Sequence, residues 1–242
     1  PLDPQSRFAS RLVVGASRPG AVPHVHIGVL TTSWPSEARP WAGHFVRDQA
    51  EQLARLGCRV SVVAPSWRAH GTLWSDGFAE TLSAPVGGTP GPLKGHRGLR
   101  ALAAMTGVAS GVRPDVWLCH WWPTVLAAPR GARRIAVIHG TDMDLLETLP
   151  RPLVVWLAHS CEVVAVSSVL ADRFAALCGG PEPLVHGIGA RAADSDEGAA
   201  AGPDWWRSAP GPRVLTVGRD HPGKGLDIAR EAARRSNDLA WL

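Results

Sequence analysis

The sequence lacks any dense run of lysine and arginine, any cysteine pair at metal-ligand or redox spacing, and any long apolar run. Each absence removes a class of function. The 25 basic residues outnumber the 21 acidic ones and give a net charge of +4, but arginine is scattered, whereas a nucleic-acid binder gathers its cations on one face. Cys58, Cys119, Cys161 and Cys178 form no C-x-x-C, so neither a metal site nor a redox pair is indicated. They read as reduced thiols of a cytoplasmic protein. No segment reaches the roughly 20 continuous apolar residues of a membrane-spanning helix. Residues 1–23 carry Arg7, Arg11 and Arg18 without an apolar core, unlike a secretory signal, and are read as a disordered leader. No G-x-G-x-x-G follows the first predicted strand and no G-x-x-x-x-G-K-[ST] occurs, which argues against a dinucleotide-dependent enzyme and excludes a P-loop.

What is present is a composition able to build a core, with 45% apolar and 19% charged residues. Short β-branched runs alternate with longer stretches of helical period, the pattern of a parallel sheet wrapped by helices. The first strand is expected over His24–Leu30. A helix follows over His44–Leu56, with Val46, Ala50, Leu53 and Leu56 on one face and Gly57 as its stop. Val60–Ala64 reads as a buried strand, and Gly71–Gly95 as a loop with room for a short hairpin. A helix over His96–Ala109 leads to a strand at Val116–Cys119. Ile135–Ile138 and Val163–Val166 are two more strands, each followed by a helical pattern. Residues 190–212 have linker composition. Val214–Val217 and Leu226–Arg235 then open a second βα unit.

Three loops at strand C-terminal ends hold the candidate chemistry, because ligands of open α/β sheets bind there. The first runs from Thr31 to Gly43 into a helix start, where backbone N–H groups can meet an anion; a plain strand-to-helix turn at Gly43 explains it equally well. The second, Ile138-His139-Gly140-Thr141-Asp142, sets a histidine and an acid about a glycine; helix capping is the simpler role for both. The third, Gly218-Arg219-Asp220-His221-Pro222-Gly223-Lys224-Gly225, brings glycines and two cations to a helix start, an arrangement that suits a diphosphate.

Taken in order, these segments resemble glycosyltransferase family 4, of the GT-B fold. The resemblance is carried by residues 26–65, by Asp115-Val116-Trp117-Leu118-Cys119-His120-Trp121-Trp122, by Val137-Ile138-His139-Gly140-Thr141-Asp142, by Val164-Ala165-Val166-Ser167-Ser168 with Leu184-Val185-His186-Gly187-Ile188, and by Val217-Gly218-Arg219 with Lys224-Gly225. It implies an α/β, Rossmann-like parallel sheet with helices on both faces over residues 24–189, a linker over 190–212, and one partial βα unit of a second Rossmann-like domain over 213–242. The implied activity is retaining, metal-independent transfer of a sugar from a nucleotide diphosphate sugar to a glycan or lipid-linked acceptor, with no cofactor and no metal ligand. His139, Arg219 and Lys224 would be the catalytic residues. Gly43, Gly218, Arg219 and Lys224 would hold the donor's phosphates.

Only about 30 residues follow the linker, against the 100 or more of a whole domain, and the family's late pair of glutamates has no counterpart. The 242-residue chain is therefore expected to be inactive alone, with Val214–Val217 short of parallel neighbours. A non-catalytic binding or regulatory remnant is the alternative function, and a dinucleotide-dependent Rossmann enzyme a weaker one. His120, Trp121 and Trp122 fit a sugar-stacking role or, more simply, the core. Lys94, Arg97 and Arg100 beside Leu99, Leu102 and Met105 suggest a helix for an anionic membrane surface, consistent with a cytoplasmic protein peripheral to the membrane's inner face; a solvated helix end is the simpler account.

Overall fold

The computed structural model describes residues 25–87, 95–180, 182–187, 203–208, 211–216, 218, 224–236 and 240–241. The leader, Lys94, most of the linker, Val217 and Arg219 lie outside them. The chain divides into two compact units, residues 1–190 and 191–242.

In the first unit, β1 (His26–Thr31) is followed by α1 (His44–Arg55), β2 (Arg59–Trp67), β3 (Glu80–Val86), α2 (His96–Ala109), β4 (Val116–His120) and β5 (Arg133–Ile138). Then come α3 (Gly140–Leu146), α4 (Arg151–Ser160), β6 (Glu162–Ala165), α5 (Ser168–Cys178) and β7 (Leu184–Val185). The seven strands form one sheet in the order β3-β2-β1-β4-β5-β6-β7, and every pairing is parallel.

The period of two along each strand sends alternate side chains to opposite faces, and both faces are covered. Leu30 and its register partners Val63 and Cys119 join Met105 and Ala109 of α2. Val29 and Val62, one residue earlier, join Val46 and Ala50 of α1. A third cluster joins Ile138 and Ala165 to Met143, Leu157 and Phe174 of the following three helices. Burial on both faces is why these strands read as unbroken apolar runs. All four cysteines are free thiols.

Three expectations need correction. The stretch predicted as loop or hairpin contains β3, a parallel edge strand whose residues Glu80 to Val86 pair with Ser61 to Trp67 of β2. Its half-exposed pattern and Pro85 hid it, because an edge strand tolerates both polar faces and proline. Of the apolar set on α2, Met105 is fully buried and Leu102 half-buried, leaving Leu99 alone in solvent. The helix thus packs its stripe on the sheet.

The third correction concerns the second unit, which contains α6 (Asp204–Arg207), β8 (Arg213–Val214), α7 (Leu226–Arg235) and β9 (Ala240–Trp241). Here β8 does have a parallel neighbour, pairing with β9 through Arg213↔Ala240 and Val214↔Trp241.

Candidate functional site at the sheet switch point

Strand order reverses between β1 and β4, since β2 and β3 lie on one side of that pair and β5 to β7 on the other. A crevice opens at such a point because consecutive connections leave in opposite directions. The two strands end together there, with Thr31 opposite His120 in the register, and His120 opposite Val137 of β5. The loops that follow β1, β4 and β5 therefore converge.

The loop after β1 folds back on itself. The Thr31 hydroxyl donates to the Ser33 carbonyl oxygen at 3.0 Å and accepts from the Ser33 N–H at 3.2 Å. Gly43 closes the loop against the same carbonyl: a Cβ on it would lie 2.0 Å from the Ser33 oxygen. Its backbone is left-handed, at φ 64 and ψ 24, and it caps α1 without a side chain. Only glycine combines that φ with that closeness.

The loops after β4 and β5 are tied by Asp142. This buried carboxylate accepts the His139 N–H at 3.1 Å and the Trp122 N–H at 3.3 Å. Burial pushes its pKa up to about 7, against the pull of those same hydrogen bonds. The carboxylate is thus committed to the backbone, where the sequence had placed it as a helix cap. What it fixes is the position of His139.

His139 meets a second histidine. Its Nε2 is 3.2 Å from Nδ1 of His120, and the rings stack with centroids 5.4 Å apart and 18° between planes. Burial holds His120 down to about 3, with His139 adding to the effect, and holds His139 down to about 4. Both rings are neutral near pH 7, so a hydrogen bond between the facing nitrogens needs one ring to donate and the other to accept. His120 is 3% exposed, and its other ring nitrogen, Nε2, has no hydrogen-bond partner. Phe45, in the first turn of α1, sets its ring 4.9 Å from His139 and 6.3 Å from His120.

Gly218 and Lys224 belong to the second unit. Lys224 is exposed and stands just before Gly225, which caps α7 at φ 64 and ψ 24. That is the conformation of Gly43 before α1, so each unit starts a helix from a left-handed glycine. Arg219 lies outside the described residues. No group of three potential metal ligands occurs among the described residues, and no described helix is long and apolar enough to cross a membrane.

The sequence pointed to Gly43 and His139, and the structure brings their loops to the same end of the sheet. It did not point to Phe45, nor to the pairing of His120 with His139. The position of His120 at the end of β4 was the available signal, since the switch point falls beside that strand.

An open parallel sheet with helices on both faces and converging loops at its switch point is the architecture of a Rossmann-like, GT-B half. Comparison with solved structures agrees. A sucrose-phosphate synthase from Thermosynechococcus elongatus superimposes with a TM-score of 0.64 at 13% identity, over 90% of this chain and 61% of that one. The glycotransferase of kitacinnamycin gives a TM-score of 0.51 at 15% identity, over 91% and 65%. At such identities the likeness is one of fold, and the chain spans about three fifths of the length of these proteins. Among curated proteins none matches the sequence. The profile of Glycosyltransferase Family 4, however, matches residues 42–188, more than half of the chain. The protein belongs to glycosyltransferase family 4.

Proposed function

We propose that the protein transfers a sugar from a nucleotide diphosphate sugar to a glycan or lipid-linked acceptor, with retention of anomeric configuration and without a metal. In that step an acceptor hydroxyl oxygen bonds to the anomeric carbon, the bond from that carbon to the diphosphate breaks, and the hydroxyl proton leaves on a phosphate oxygen. The observation that carries the reading is the meeting of the Gly43 loop and His139 at the switch point, in a chain of this family.

Each residue has a role that its surroundings support. The side-chain-free backbone at Gly43 admits a phosphate close to the start of α1. A neutral His139 donates or accepts one hydrogen bond with a sugar hydroxyl without adding charge. Lys224 and Arg219, flanking the glycines before α7, neutralise the departing diphosphate. This chain spans about three fifths of the length of the solved structures it resembles, and the transfer is therefore tested on a chain continued to their full length.

A radiolabelled nucleotide-sugar assay on that continued chain tests the proposal. His139→Ala should lower kcat/KM by about 100-fold, the cost of one lost donor in a preorganised site, while the thermal midpoint moves little. Full activity in the His139→Ala protein would remove His139 from the site.

A further inference from the structure

At the N-terminal ends of the strands, opposite the switch point, one side chain ties four strands together. His26 opens β1, and the entry to β4 holds it from one side: its Nδ1 lies 3.1 Å from the Arg113 carbonyl oxygen, and its N–H donates to Asp115 Oδ2 at 2.7 Å. The Asp115 N–H returns a bond to the His26 carbonyl oxygen at 2.8 Å. On the other side Nε2 lies 2.9 Å from the Ser61 hydroxyl oxygen of β2, and that hydroxyl donates to Glu80 Oε2 of β3 at 3.0 Å. The contacts thus reach from β4 to β3, the outer strand of the sheet.

Proton counting along this chain gives a definite result. A carbonyl oxygen only accepts, so Nδ1 must carry a hydrogen. The serine has one hydroxyl hydrogen and gives it to Glu80, so Nε2 must donate as well. All the contacts are satisfied together when the imidazole holds both ring protons and the carboxylate none. With a neutral imidazole, Nε2 and the carboxylate are two acceptors facing a single hydroxyl hydrogen. Water cannot make up the difference at Ser61, which is 0% exposed. The carboxylate has other partners, because Arg59 stands 3.5 Å away and the Glu80 side chain is 52% exposed. The hydroxyl then turns to Nε2, and Glu80 is released. The remaining charged groups about His26 are Arg59, its register partner on β2, together with Asp115 and Arg113, whose guanidinium is turned to the Ser110 carbonyl oxygen.

We propose that His26, Ser61 and Glu80 form a proton-dependent latch on the edge strand. It is closed while His26 is doubly protonated, and it opens, loosening β3, when the ring loses a proton. Hydrogen exchange of the Glu80–Val86 amides in the 242-residue chain, followed from about pH 5 to pH 9, reads the latch directly. Rates are corrected for the intrinsic pH dependence of exchange and referred to α5. NMR of the His26 ring, assigned with His26→Gln, gives its titration midpoint in the same samples.

Protection of β3 should fall about ten-fold as pH rises, roughly the worth of one charge-assisted hydrogen bond, with the midpoint of the His26 ring. Glu80→Gln sharpens the test, since its amide N–H can donate to Ser61 while the serine hydrogen serves a neutral His26. In that variant β3 should keep its protection within two-fold across the range. Ser61→Ala should lose both the low-pH protection and the pH response; where it does not fold, Glu80→Gln at its half-exposed position decides. Protection of β3 that does not change with pH, a midpoint apart from that of His26, or a full pH response surviving in Glu80→Gln would overturn the proposal.

Discussion

A Cβ on Gly43 would stand 2.0 Å from the Ser33 carbonyl oxygen, on a backbone already at φ 64. Gly43→Ala should therefore cost about 2 kcal/mol or more in urea unfolding, from the left-handed penalty of roughly 1 to 2 kcal/mol plus the displaced loop. Gly140→Ala, where an added Cβ meets nothing within 4 Å, should stay within about 0.5 kcal/mol of the parent. Equal effects would mean that the Gly43 loop yields. The histidine pair makes a second residue-scale prediction. With folded pKa values of about 3 and 4, against about 6.5 unfolded, His120 and His139 take up protons on unfolding, so their contribution weakens stability as pH falls from about 6.5 towards 4. Asp142, raised to about 7, works in the opposite sense over the same window, because its folded form binds the proton first. Asp142→Asn should thus make stability fall more steeply on acidification than in the parent protein. A shallower fall, measured by urea midpoints from pH 7 to pH 5, would show that one of these assignments has the wrong sign.

Between elements, the contact that decides the centre of the sheet is the pair Gly28 and Trp117, register partners on β1 and β4. A Cβ on Gly28 would lie 2.5 Å from two carbons of the fully buried indole. The missing side chain on one strand is the space that the tryptophan fills on the next. Gly28→Ala should cost about 1 to 3 kcal/mol by overpacking, and combining it with Trp117→Phe should cost less than the sum of the two changes. Strict additivity in that double-mutant cycle would mean that the residues do not share the space. The same scale shows which elements the sequence made legible. The helix starts at His44 and His96 and the span of α7 were readable because their apolar residues recur at helical spacing over ten or more positions. β3 was not, because its polar, half-exposed pattern and Pro85 resemble a loop until β2 supplies the pairing. β9 was not either, being two residues that become a strand only beside β8.

For the whole molecule, the parallel sheet was legible from the alternation of elements, and Gly43 and His139 from their places at strand ends. The meeting of His120 with His139 was not, since it joins residues 19 positions apart through the register of β4 and β5. Nor was the backbone of Trp121, which depends on Thr124 holding its carbonyl. In the chain continued through a whole second unit, Lys224→Ala should lower turnover by about 100-fold with little change in thermal midpoint, because an exposed lysine before α7 supports charge on the leaving group rather than packing. Loss of folding without a separate loss of turnover would assign it a structural role. The most direct test of the central claim measures sugar transfer from radiolabelled nucleotide sugars by the continued chain and by its His139→Ala variant. The account predicts retained-configuration product from the first and about 100-fold less from the second; no product from the first, or equal transfer by both, would contradict it.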